Sequence, residues 1–222
     1  MGIYKHTLGK GEDVVILHGW GCNHQHMQPV AEHLSKKYLV SNFDLPGRGK
    51  SVWNPNIETI HDIADQLLPH LPANAIYVAW SFGGLIAMSI AARFPERVKK
   101  IVGITTTPKF IEDNNWPGFP KPGFIAAFDE IGKVGFKPFM TQYYDNEFSY
   151  CTQKPKAYDD LLEILNNDAT DIDIILKGIN INSIPDIKAL NSQVKINIIP
   201  DAQHMLFWTH QKEFNKVLDA VI

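Results

Sequence analysis

The feature that most constrains this chain is Ala79-Trp80-Ser81-Phe82-Gly83-Gly84. An apolar run at 76–78 precedes it, and an alanine-rich apolar stretch at 85–92 follows. That order reads as strand, sharp turn and helix. A serine held at such a turn is lifted off the end of a sheet with its hydroxyl exposed, and the next backbone N–H, that of Phe82, points where an oxyanion would form. Small residues must flank the turn because strand and helix backbones approach closely there. Ala79 and Gly83 fill those two places. The competing reading is a plain turn between small residues; the strand before and the helix after favour Ser81 as a nucleophile.

The surrounding pattern extends that unit. Residues 14–17, 76–78 and 101–104 are short, largely apolar runs bounded by turn residues, and 38–43 reads as a further strand. Such runs suit strands buried on both faces. Helical spacing separates them at 27–36, 60–71 and 85–92, and residues 3–8 fit an edge strand. Strands alternating with helices predict an α/β fold, a mostly parallel doubly wound sheet. The first strand ends in His18-Gly19-Trp20-Gly21, and ligands bind at that end of an open α/β sheet. Asp44 and Arg48, in Asp44-Leu45-Pro46-Gly47-Arg48-Gly49-Lys50-Ser51, are expected to pair and brace their loop.

Beyond Pro108 the rhythm changes. A turn-rich, aromatic segment at 114–124 leads into helical patches at 124–131, 136–144 and 156–165. This stretch is too short for a core of its own. It reads as a helical lid insertion at 108–176 on a core built from 1–107 and 177–222, with Trp116, Phe124, Phe128, Phe139 and Tyr143 as the lining of an apolar tunnel. A last strand is expected over 194–199 and a closing helix over 211–222. His204 falls in the loop between them, at the same sheet edge as Ser81, which makes it the candidate general base. His24 and His26 form an H-x-H, but no carboxylate or cysteine stands at ligand spacing from them, so no metal site is expected.

Bulk properties narrow the class further. A net charge of −3 over 222 residues gives no basic footprint for nucleic acid. No apolar run reaches the 18 residues of a membrane span. Two cysteines, Cys22 and Cys151, are too few for a disulfide framework. With no secretory h-region at the N-terminus, and His6 where a myristoylation signal needs Ser or Thr, a cytoplasmic protein is expected.

His18-Gly19-Trp20-Gly21, the Asp44–Ser51 loop, Trp80-Ser81-Phe82-Gly83-Gly84 and Gln203-His204 together resemble the α/β-hydrolase superfamily, in its chain order with histidine last. The short segment before His18, the Trp80-Ser81 pair and Trp116-Pro117-Gly118 are similar to the BioH-type carboxylesterases, which hydrolyse pimeloyl-[acyl-carrier protein] methyl ester in biotin synthesis. The resemblance implies that Ser81 attacks a carbonyl and His204 takes its proton. It implies that the N–H groups of Trp20 and Phe82 hold the oxyanion, and that lid residues Phe139, Met140, Thr141, Gln142 and Tyr143 touch the acyl chain. No metal or organic cofactor is implied, and the partner is a small or carrier-bound acyl ester. The lids of that family carry arginines toward the acidic carrier; the nearest cations here are Lys133, Lys137, Lys154 and Lys156. Thioesterases, C–C hydrolases and a catalytically impaired binding protein share the same pattern.

One family position has no match. The triad acid follows a core strand between lid and final strand, in a Gly-x-x-Asp context. Here 171–181 runs directly into Asn182-Ser183-Ile184-Pro185-Asp186. In one register 172–176 is that strand and Ile181 stands in the acid's place. In the other, the strand near 172–185 and its acid are missing. Asp186 and Asn182 are the nearest substitutes, and the triad acid stays unassigned.

Overall fold

A computed structural model describes residues 2–168 and 195–222. Its sheet has the order β1-β3-β2-β4-β5, formed by β1 (Lys5–Gly9), β2 (Glu12–Leu17), β3 (Tyr38–Phe43), β4 (Ala75–Trp80) and β5 (Val98–Ile104). β1 is antiparallel on the edge; the other pairings are parallel. Parallel neighbours need crossovers, and α1 (Gln28–Leu34), α2 (Ile60–Leu67) and α3 (Phe82–Arg93) supply them.

The period of two along the strands builds two cores. Val14 and Ile16 of β2, with Ile76 and Val78 of β4, face α1 and the last helix, α7 (Gln211–Val221), through Val30, Leu34, Phe214 and Leu218. Val15, Leu17, Tyr77 and Ala79 face the opposite way, onto Ile60, Ile63, Leu67, Leu85, Ile86 and Ile90 of α2 and α3. β2 and β4 are therefore apolar throughout their inner length, as a strand covered on both faces must be. Thr59 and Asp62 cap α2 reciprocally, which fixes where that helix starts.

Residues 121–167 fold mainly as α4 (Lys121–Val134), α5 (Phe136–Glu147) and α6 (Lys156–Asn167). Phe136, Met140, Tyr144 and Glu147 form the buried stripe of α5, at helical spacing.

Two expectations change. The described part of the last expected strand, 195–199, joins no ladder, and Ile196 and Ile198 are each 82% exposed. A parallel strand exists only against a hydrogen-bonded neighbour, and none of the described strands pairs with this segment. The Asp44–Arg48 pair does not form either. Asp44, fully buried, instead accepts from the His24 amide (2.7 Å), His24 Nδ1 (2.8 Å) and the Lys50 amide (2.8 Å). Both candidate registers over 171–186, with Asn182 and Asp186, lie outside the described residues.

Candidate active site

Ser81 sits between the last residue of β4 and the first of α3, with φ 51° and ψ −117°. A non-glycine residue held at positive φ is strained by about 1–3 kcal/mol and persists only where its surroundings fix it. Its own N–H donates to the Ile104 carbonyl (2.9 Å), and its carbonyl accepts from the Gly84 amide (2.9 Å) and Thr106 Oγ1 (2.6 Å). Gly83 is obligatory for the same geometry. A Cβ there would lie 2.5 Å from the Leu17 carbonyl oxygen and 2.7 Å from that of His18. The helix thus presses directly on the end of β2.

That contact brings the His18–Gly21 loop beside the serine. His18 is fully buried; its Nε2 accepts from the Leu45 amide (3.0 Å), so the partner geometry assigns the proton to Nδ1, which donates to the Gly19 carbonyl (2.8 Å). Burial pulls its pKa down to about 4 and keeps it neutral. His18 is thus a brace between the two loops at the strand ends. Among the described residues, the amides of Trp20 and Phe82 have no acceptor. Two unspent backbone donors flanking a raised serine are what a developing oxyanion requires.

His204 reaches the same edge from the far end of the chain. Its carbonyl accepts from Trp80 Nε1 (3.2 Å) and from Thr105 Oγ1 (3.1 Å), so residues adjoining the serine turn and β5 hold it. Its ring centroid is 5.5 Å from that of Trp80 and 6.5 Å from that of Tyr143. Burial lowers its pKa to about 4. Among the described residues, no hydrogen bond joins Ser81 to His204, and no carboxylate pairs with the His204 ring. A neighbouring acid would oppose the desolvation and raise that pKa.

Helices α4 and α5 pack onto this edge. Trp20 meets Phe128 of α4 (5.2 Å) and Phe136 of α5 (6.3 Å), both edge-on. Met140 lies against Gly21, and the Tyr144 hydroxyl bonds His26 Nε2 at 2.8 Å. Phe139 and Tyr143 pack on the same cluster. The Thr141 hydroxyl turns back to the Lys137 carbonyl, and Gln142 is exposed. Trp116 packs locally, its Nε1 donating to the Lys109 carbonyl. His24 and His26 serve Asp44 and Tyr144 respectively.

Sequence reasoning missed Glu147. This buried carboxylate accepts from the Met205 amide at 2.7 Å and also takes up the His204 amide, tying α5 to the histidine loop. Burial raises its pKa, and those two N–H groups oppose the rise. The signal was present: Glu147 falls on the helical stripe of Phe136, Met140 and Tyr144, where an acid has to be paired.

A raised serine at a strand-to-helix turn, free amides beside it and a histidine after the sheet define the class, and the α/β-hydrolase fold family matches residues 14–167. The chain belongs to that family. Among curated relatives it is 44% identical over 143 residues to the pimeloyl-[acyl-carrier protein] methyl ester esterase of Chromobacterium violaceum, a match covering 64% of this chain and 56% of that protein. The enzyme of the same name from Vibrio cholerae is 38% identical over 130 residues, covering 59% and 50%. The chain thus spans about half the length of these curated relatives. That of Vibrio campbellii aligns at 29% identity over 95% of this chain and 88% of its own length. Of solved structures, an Exiguobacterium antarcticum esterase superposes with a TM-score of 0.77 at 17% identity, covering 98% of this chain and 94% of its own. An enol-lactonase from Burkholderia xenovorans gives 0.76 at 15% identity, covering 98% and 95%. These two likenesses concern the fold.

Proposed function

We propose that this chain is a serine carboxylesterase that cleaves an acyl-chain ester, with pimeloyl-[acyl-carrier protein] methyl ester as the substrate and the cytoplasm as its place of work. Ser81 Oγ attacks the ester carbonyl while His204 takes the hydroxyl proton. The tetrahedral oxyanion accepts from the Trp20 and Phe82 amides. The alcohol leaves with the proton from His204, and water then releases the acid from Ser81 by the same steps reversed. The observation that carries this reading is the positive-φ Ser81 held beside two unspent amides. The names of the curated relatives support the substrate. The division into a core of 1–107 and 177–222 and a lid of 108–176 belongs to the same proposal, with Phe139, Met140 and Tyr143 on the acyl side. Lys133, Lys137, Lys154 and Lys156 each engage an acid or carbonyl between residues 130 and 166, so the reading does not rest on a basic docking surface. Among the described residues, no helix is long and apolar enough to cross a membrane.

One observation favours a second reading, a hydrolase fold retained for binding. His204, with no acid on its ring among the described residues and with a pKa near 4, is a weak base for a serine proton. Turnover of p-nitrophenyl butyrate by wild type against Ser81→Ala separates the two. The esterase reading expects a loss of at least about a thousandfold; equal rates leave the binding reading standing. Growth of a biotin auxotroph that lacks its methyl esterase then tests the substrate.

A further inference from the structure

Beside the oxyanion loop lies a cavity of about 20 Å³, lined by His18, Trp20, Leu45, Arg48, Trp53 and Phe82 among others. Space of that size takes one oxygen-sized group. Two of its lining side chains carry buried donors with no acceptor among the described residues: Arg48 Nη1 and Trp53 Nε1. Arg48 is only 7% exposed, and among the described residues its guanidinium makes no ion pair; it stacks over the Trp20 ring, 5.8 Å from the centroid. Asp44, the acid nearest in sequence, is already spent on His24 and Lys50. Asp168 is the carboxylate whose charge reaches Arg48, and its Oδ2 accepts from Asn23 Nδ2 at 2.9 Å. The other lining polar side chain, His18, has both ring nitrogens engaged.

A buried cation without a hydrogen-bonding partner is among the most costly arrangements a fold can hold. Two unfilled donors on side chains that line one cavity identify what would relieve it. We propose that the Arg48–Trp53 cavity is a carboxylate-binding subsite adjoining the oxyanion hole. A carboxylate presents its oxygens in the plane that a guanidinium fork matches, and an oxygen in this cavity is the acceptor that Arg48 Nη1 and Trp53 Nε1 lack. Trp20 and Phe82 line both this cavity and the oxyanion site, so the anion lies close to the reacting carbon. The carboxylate has two sources: the acid that ester hydrolysis releases, or a free carboxylate borne by a half-ester substrate. Only the choice between those sources rests on the esterase reading; the subsite itself does not.

Thermal shift with sodium hexanoate, at ionic strength balanced with chloride, reads the subsite without turnover and is run on Ser81→Ala as well as wild type. Hexanoate is expected to raise Tm in both. Arg48→Met is expected to weaken hexanoate binding more than tenfold, and Trp53→Phe about threefold to tenfold. Arg48→Met also removes the unpaired charge and is expected to melt no lower than wild type in anion-free buffer, so its lost response is not misfolding. Competitive inhibition of p-nitrophenyl butyrate hydrolysis by hexanoate, absent in Arg48→Met, assigns the site to the acid product. A tenfold preference for the p-nitrophenyl half-ester of adipic acid over p-nitrophenyl hexanoate, lost in Arg48→Met, assigns it to the substrate. The subsite is overturned if hexanoate and adipate leave the wild-type Tm unchanged, if Arg48→Met responds as wild type does, or if inorganic phosphate binds as tightly as hexanoate. Loss of esterase activity with the thermal response intact would instead overturn the esterase reading alone.

Discussion

Replacing Gly83 by alanine tests the claim that the oxyanion geometry is set by helix α3 pressing on the end of β2. The added Cβ would sit 2.5 Å from the Leu17 carbonyl oxygen, 2.7 Å from the His18 carbonyl oxygen and 2.8 Å from the Leu17 carbonyl carbon. Those distances are roughly an ångström inside ordinary contact. All three atoms are backbone at the buried end of a central strand and its exit, so no rotamer change relieves the clash. Either α3 retreats or the His18–Gly21 loop is pushed outward. Overpacking of this kind costs about 1–3 kcal/mol. For a chain of 222 residues that is a fall in Tm of about 2–12 °C. The same displacement separates the Phe82 amide from the Trp20 amide. Misplacement by an ångström costs about a hundredfold in rate, and each oxyanion donor is worth ~10²–10³. The expected result is a fall of about a hundredfold in kcat for p-nitrophenyl butyrate, with KM nearly unchanged, in protein that is still folded by circular dichroism. Activity within threefold of wild type, together with a Tm within a degree, would refute the reasoning, because the two loops would then not be in mutual register through Gly83.

Acidification should unfold the protein through its buried histidines. His18 and His26 have pKa values lowered by burial to about 4 and about 3, against about 6.5 in an unfolded chain. Their contribution is complete above about pH 6.5 and is lost as pH falls toward 4 and then 3. The slope approaches ~1.4 kcal/mol per pH unit for each; a Tm unchanged between pH 7 and pH 5 would show that they are not held neutral. Asp44→Asn presents an amide N–H₂ to three donors that now share one carboxylate, and should cost about 3–5 kcal/mol, read as a lower urea midpoint with an unchanged m-value. Tyr144→Phe strands His26 Nε2 in the interior; about 1–3 kcal/mol should be lost in chemical denaturation, and a neutral result would mean that water replaces the hydroxyl.

The pattern of strands, the turn at Ser81 and the helices around it were legible because each is decided over a few residues. Alternating apolar positions choose the two cores, and a serine between small residues chooses the turn. Positions that depend on distant partners were not legible. Asp44 stands four residues from Arg48, yet His24 takes its charge, because β3 and the loop after β2 end side by side and a buried carboxylate bonds the nearest N–H groups. Arg48 then turns to a cavity that no local pattern announces.

The sequence by itself determined that Ser81 is lifted at a strand-to-helix junction and that histidine comes last, since both follow from local sterics and chain order. Only the tertiary structure decided that 195–199 pairs with none of the described strands, that Glu147 holds the amides of His204 and Met205, and that two donors next to the oxyanion loop have no acceptor among the described residues. The reason is physical: backbone dihedrals are chosen within a few residues, whereas the hydrogen-bond account of a buried group closes only when every segment around it is in place.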